Sequence, residues 1–144
     1  LALTETAPVF NVELEVVNAS TPEEITEALS IIPGDINALF ILASAIFEAN
    51  IQQFISAANA NKIPLAAPAT ANVIDGALTS FGHDNVPLGQ QAARLAIQIL
   101  RGTSPADLPI ETADLFLSIN LQTASIIDLN IPDGIIRQAD IIIR

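Results

Sequence analysis

The stretch that most constrains this chain is Asn37-Ala38-Leu39-Phe40-Ile41-Leu42, followed by Ala43-Ser44-Ala45. From Ala38 to Leu42 the residues are apolar without a break, which leaves no polar face. A turn signal, Pro33-Gly34, precedes the run and a helical pattern follows it. The run therefore predicts a strand buried on both sides. In open α/β sheets ligands bind just beyond the carboxyl ends of the strands. Leu42 to Ile46 is accordingly where a site is expected.

The flanking pattern agrees with such a sheet. Residues 1–8 have no periodicity and end in Pro8, so they are expected to be the remnant of a preceding element, with residues 9–144 forming one α/β domain. Asn11 to Val17 alternates, with Val12, Leu14 and Val16 opposite Glu13 and Glu15; this predicts a half-buried strand near a sheet edge. Thr21-Pro22 with Glu24 is a helix start with a capping box, and Ile25, Ala28, Leu29 and Ile32 give that helix one apolar face. A second helix is expected from about Ile46 to Asn61. Phe47, Ile51, Phe54, Ile55 and Ala58 would face the core, and Glu48, Gln52, Ser56 and Asn59 water. Ile63 to Ala67 reads as a strand, Pro68 to Asp75 as a loop with room for a helical turn, Gly76 to Phe81 as a shorter strand, and Val86 to Arg101 as a helix stopped by Gly102. Leu115 to Ile119 predicts a strand, and Asn120 to Leu129 and Pro132 to Asp140 two helices. Ile141-Ile142-Ile143 would add a few extended residues. Strands and helices alternating at this spacing predict a parallel sheet flanked by helices on both faces.

Composition excludes several classes. With 16 acidic and 5 basic residues the net charge is -11. The scattered Lys62, Arg94, Arg101, Arg137 and Arg144 give no footprint for nucleic acid or an anionic membrane. The acidic residues are spread as a solubilising surface. There is no Cys, so disulfides and thiolate metal sites are excluded. No apolar run approaches the ~20 residues needed to span a bilayer. The chain begins at Leu1 and has no Met, which leads to the expectation that sequence upstream has been removed or lies outside this chain.

The chemistry offered is sparse. There is no Gly-rich phosphate loop, no GxSxG elbow and no HExxH. His83 is the one histidine. Asp84 stands beside it, but neighbours on a loop seldom face each other and no nucleophile is placed, so a hinge or surface histidine is expected. Metal ligands do not converge, and no cofactor or metal is expected. Ser44 and Thr70 are the hydroxyls near strand ends. Ser44 reads both as a helix cap and as a ligand contact; for Thr70 the cap reading leads. Asn72 and Asp75 read as caps or as ligand contacts, with the cap reading leading.

The final third brings a resemblance. Ser118-Ile119-Asn120-Leu121-Gln122-Thr123-Ala124, then Leu129-Asn130-Ile131-Pro132, then Ile135-Ile136-Arg137-Gln138-Ala139-Asp140 resembles the C-terminal signature of the ABC-transporter substrate-binding proteins, the group with tryptophan- and tyrosine-type members. Leu88-Gly89-Gln90-Gln91-Ala92-Ala93 through Ile99-Leu100-Arg101-Gly102 is similar to that family's long helix. Ser104-Pro105-Ala106-Asp107-Leu108-Pro109-Ile110 is similar to its following turn, and Asp75-Gly76-Ala77-Leu78 with Phe81-Gly82 to the segment before. The likeness runs from about residue 9 to the end.

The resemblance implies the C-terminal lobe of a type I periplasmic-binding-protein fold, flavodoxin-like, whose two lobes close on a small ligand by a hinge. It implies a non-enzymatic, extracytoplasmic solute-binding component, periplasmic or lipid-anchored on the outer face of the membrane, that serves an ABC permease. The positions implied to touch ligand are Ala43, Ser44 and Ala45 after one strand and Ala67, Pro68 and Thr70 after the next. Relatives often carry a polar Pro-Thr-Asp-Asn-like loop at the first place and Ser plus an acidic residue at the second. Neither is here, so an amino acid, a more apolar ligand and loss of binding stand as alternatives. Because only the C-terminal half is similar, a missing N-terminal lobe or a second chain is an implied partner, and the helix at Val86–Arg101 lacks its usual cover. The alternative of another class is an interaction or sensor module that keeps the lobe for assembly.

Overall fold

The computed structural model describes residues 2–144. Its sheet has five strands in the order β1-β2-β3-β4-β5: β1 Leu39–Phe40, β2 Leu65–Ala67, β3 Thr79–Gly82, β4 Phe116–Asn120 and β5 Ile141–Ile143. β1, β2 and β3 run parallel, as do β4 and β5, whereas β3 and β4 are antiparallel. The expected helix-flanked α/β sheet is therefore present, with one antiparallel pair inside it. The cause lies in the connection. β3 ends at Gly82, whose partner is Phe116, the first residue of β4. The chain leaves the sheet there, runs through α6 (Asn85–Leu100), and re-enters at the same edge.

The first helices follow from local chemistry. α1 (Ala2–Thr6) continues into a 3-10 turn, Ala7–Phe10, that Asn11 ends in the left-handed region at φ 54. Residues read as aperiodic are thus helical here, since Pro8 sits in a first turn, where it displaces no hydrogen bond. Asn11 to Val17 corrects a second expectation: no described strand pairs with it, and Val16 and Val17 are exposed. Alternation predicts which face would be buried, not that a ladder partner exists. α2 (Pro22–Ser30) starts as read, with Thr21 Oγ1 accepting from Glu24 N–H at 3.2 Å. The Glu24 carboxylate, however, reaches Ser20 N–H at 2.6 Å, one residue before the cap.

The single helix expected over 46–61 is two, α3 (Ala45–Ala49) and α4 (Ile51–Asn61). At the joint the Asn50 side chain donates to the Ile46 carbonyl at 2.8 Å, a local bond of the kind that competes with helix. α5 (Thr70–Ile74) occupies the expected loop, and α7 (Leu121–Ile126) is capped by the Asn120 side chain on Thr123 N–H at 2.9 Å. α8 is short, Asp133–Ile136, because Asp140 leaves the helix and accepts from Leu117 N–H of β4 at 2.8 Å.

The larger of two core clusters packs α2 and α4 on the sheet; a smaller one joins Leu78 to Ala124 and Ile127. Ile25 of α2 and Phe54, Ile55 and Ala58 of α4 pack with Ile41, Leu65 and Ala67. Phe47 and Phe54 meet edge to face at 5.4 Å. The run Ala38–Leu42 is not buried on both sides. Ile41 is buried, whereas Phe40 is 59% and Leu42 48% exposed. The apolar run is continuous, yet successive side chains point to opposite faces. The described helices cover only the Leu39–Ile41 side well.

Candidate functional site

Because β1, β2 and β3 are parallel, their carboxyl ends meet one edge of the sheet. The segments that leave there are 41–45, 68–70 and 82–84, which is the arrangement in which α/β sheets bind ligands. Backbone contact locks two of them together. Thr70 N–H donates to the His83 carbonyl at 3.5 Å, and Gly82 lies against Pro68 so closely that no side chain fits between them.

Ser44 occupies the N-cap position of α3 with extended dihedrals (φ -157, ψ 135), yet its hydroxyl makes no capping bond. It is half-buried, and Ala43 and Ala45 beside it are exposed. The Ser44 carbonyl carries the first turn by accepting from Glu48 N–H at 2.9 Å. Pro68 is half-buried, Ala67 is packed in the core, and Thr70 is 3% exposed. The Thr70 hydroxyl pairs with the Ser118 hydroxyl at 3.0 Å, turned into the protein. The edge thus brings together the loops that hold Ala43, Ser44, Ala45, Ala67, Pro68 and Thr70. Of their side-chain polar groups, the Ser44 hydroxyl is the unengaged one.

Asn72 acts as a cap, as expected: its Oδ1 accepts from Ala69 N–H at 3.1 Å. It also does what the sequence did not suggest. Its Nδ2 donates to Glu48 Oε2 at 2.7 Å, which brings a carboxylate to this edge. Glu48 reads in the sequence as part of a wet helix face. The available signal was its place four residues after Ser44, on the same side of a helix.

His83 is half-buried behind β3. Its neighbour Asp84 is committed to capping α6, accepting from Val86 N–H at 2.8 Å. An acid–base pair of the two is therefore not formed. Among the described residues no group of His, Cys, Asp and Glu is arranged to hold a metal. No described helix is long and apolar enough to cross a membrane.

Two cavities of about 340 Å³ border this edge region. One is an apolar groove on the sheet face that carries Phe40 and Phe81, lined also by Leu42, Ala43, Ala66 and Pro68. The other lies between α6 and the returning segment, where Arg94 pairs with Glu111 and Gln91 donates to the same carboxylate at 2.9 Å. The Arg94 hydrogen bond, then that of Gln91, holds the Glu111 carboxyl below its ordinary range. α6 itself has no buried residue.

Comparison with known proteins gives a consistent result. The family model described as ABC transporter substrate binding protein matches residues 2–143. The "Tyrosine-binding protein" of Clostridioides difficile (strain R20291) is 33% identical over 120 residues, which are 83% of this chain and 35% of that protein. A solved structure, the ABC domain in complex with L-Trp from Streptococcus pneumonia, superposes with a TM-score of 0.84 at 22% identity, over 99% of this chain and 48% of that one. A conserved domain protein from Vibrio cholerae superposes with a TM-score of 0.83 at 27% identity, over 98% and 48%. The chain thus spans about half the length of these solved relatives and about a third of the tyrosine-binding one.

Proposed function

This chain belongs to the ABC transporter substrate-binding protein family, and on that premise we propose that it is part of the solute-binding component of an ABC import system. Family and fold are those of ligand binders rather than enzymes. In this reading residues 9–144 are the C-terminal lobe, and residues 1–8 belong to the element before it. The ligand is small, an amino acid or a more apolar relative of one, captured at the carboxyl ends of β1 and β2. A facing N-terminal lobe closes over it by a hinge, and the closed form docks on an ABC permease at the outer side of a membrane.

The observation that carries this reading is the Ser44 hydroxyl. It sits at the end of the central apolar run, in a cap position that its side chain does not use. Ala43, Ala45 and Pro68 supply apolar surface beside it, while Ala67 and Thr70 back the two loops from within. A hydroxyl left unengaged among apolar groups suits a pocket in which few polar contacts orient a mostly apolar ligand.

The test is thermal stabilisation of the intact, two-lobed protein by a library of small solutes. A ligand at a hundred times its Kd adds about 2.7 kcal/mol to stability, enough for a clear rise in Tm. A library that includes all standard amino acids and shifts nothing counts heavily against solute capture.

A second reading is a non-transport module that uses the lobe for assembly. α6, with no buried residue, and the exposed Phe40 and Phe81 favour it. Light scattering separates the two: a strictly monomeric protein sinks the version that relies on pairing between chains.

A further inference from the structure

The chain between β3 and β4 has no anchor in the domain core. Gly82 and Phe116 form the last register pair of the β3–β4 ladder. Residues 83–115 therefore leave the sheet and return to it through two neighbouring strands. None of them is buried, and neither core cluster includes one. Among the described residues, the hydrogen bonds made from 84 to 115 have both ends inside that range. The last bond to the rest of the domain is the one Thr70 N–H donates to the His83 carbonyl.

Within this excursion, α6 and the returning segment are tied at one place. Gln91 and Arg94 stand three residues apart, on one face of α6. Gln91 Nε2 donates to Glu111 Oε2 at 2.9 Å and to the Thr112 carbonyl at 3.1 Å. Arg94 pairs with the same carboxylate. The other side-chain bonds of the excursion are local caps, Asp84 on Val86 N–H and Ser104 on Ala106 N–H. Arg94 is the one cation lining the cavity there, beside the two carboxylates Glu111 and Asp114. Tertiary burial is what ordinarily holds a helix to its domain. Segments without it open and move at low free energy.

We propose that Gln91, Arg94 and Glu111 form a latch that joins α6 and the returning segment into one body, and that this body swings about the Gly82–Phe116 pair. The pivots are residues at the ends of elements, as in other hinges. Gly82 is pressed against Pro68 and the His83 carbonyl is bonded to Thr70, so the first pivot falls at His83–Asp84. The second falls at Asp114–Leu115, just before β4. Segment 82–84 is one of the three that leave at the candidate-site edge, so the body moves over that edge as a lid. With the latch closed, α6 and the segment move together; with it open, they move separately. The lid stands independently of what is captured beneath it.

The experiment is pulsed electron–electron distance measurement on spin-labelled cysteine pairs in the intact protein. This chain has no Cys of its own, and the labelled positions are exposed. Leu100→Cys with Thr112→Cys reads the interior of the body. Glu27→Cys with Leu100→Cys reads across the neck, and Glu27→Cys with Asp133→Cys reads the rest of the domain. The expected result is a narrow distribution for the first and third pairs and a broad one for the second. Arg94→Glu broadens the first pair alone, and Arg94→Glu with Glu111→Arg narrows it again. Gln91→Ala, which removes two of the three bonds and no charge, also broadens it; this variant decides if Arg94→Glu disturbs the third pair. A neck distance as narrow as that inside the body overturns the lid. A first pair that is broad in the wild type, or that neither Arg94→Glu nor Gln91→Ala changes, overturns the latch.

Discussion

A Cβ built on Gly82 would lie 1.8 Å from the carbonyl oxygen of Pro68. The end of β3 and the loop after β2 thus touch backbone to backbone, with room for a hydrogen and nothing larger. The same contact sets where Pro68 and His83 stand at the cleft edge. Gly82→Ala is expected to cost about 3 kcal/mol, because the atom in the way is backbone and cannot rotate aside. A urea titration with unchanged slope and a lower midpoint is the expected readout; an unshifted midpoint refutes the close contact.

Two serines opposite each other in the β3–β4 ladder should respond in opposite ways. Ser80 and Ser118 are register partners, and both are buried. Ser118 pairs with Thr70, whereas the Ser80 hydroxyl has no partner. Ser118→Ala strands the Thr70 hydroxyl and is expected to cost about 1–3 kcal/mol. Ser80→Ala removes an unpaired buried group and should leave stability equal or higher. Denaturant midpoints of the two variants, measured side by side, decide it.

The start of α2 depends on Thr21. Its hydroxyl accepts from Glu24 N–H while Glu24 reaches back to Ser20 N–H. Thr21→Ala is expected to lose about 1 kcal/mol. Thr21→Asn, which restores an acceptor, should recover most of it. Equal melting temperatures for all three proteins would show that the cap contributes nothing.

Acid should weaken the tie between α6 and the returning segment. The Arg94 hydrogen bond, followed by that of Gln91, lowers the Glu111 pKa in the folded protein below its ordinary 4.5. A depressed folded pKa gives stability that is present above the unfolded value and is lost as pH falls through the folded one. The gap in Tm between wild type and Arg94→Ala should therefore close as pH drops below about 4.5. It should also shrink with added salt, since the pair is partly exposed. A gap independent of pH would mean that Arg94 acts through packing alone.

Much of the fold was legible because local signals carried it. Thr21-Pro22 marked α2, Gly102 followed α6, Asn120 capped α7, and Ile141–Ile143 proved to be β5. What failed were inferences that needed a partner. Val12, Leu14 and Val16 alternate as a strand does, but alternation cannot supply a neighbouring strand. Phe40 and Leu42 are as apolar as Ile41, but hydrophobicity does not say whether a helix covers each face. The antiparallel entry of β4 depends on where α6 lets the chain return, which no local pattern encodes. At the candidate site, the loops were legible from the strand ends. Glu48 was not, because its approach to the edge depends on Asn72, 24 residues away in sequence.

α6 spans Asn85–Leu100 without a single buried residue. Its helical bonds are therefore insured by little besides themselves and the Arg94–Glu111 tie. In native-state hydrogen exchange the amides of the central strands, such as those of Leu65 and Ser118, should open only when the whole domain unfolds. Those of α6 should open by local fraying at far lower free energy. Whatever packs on α6 will announce itself first as slowed exchange along this one helix, before any other property of the domain changes.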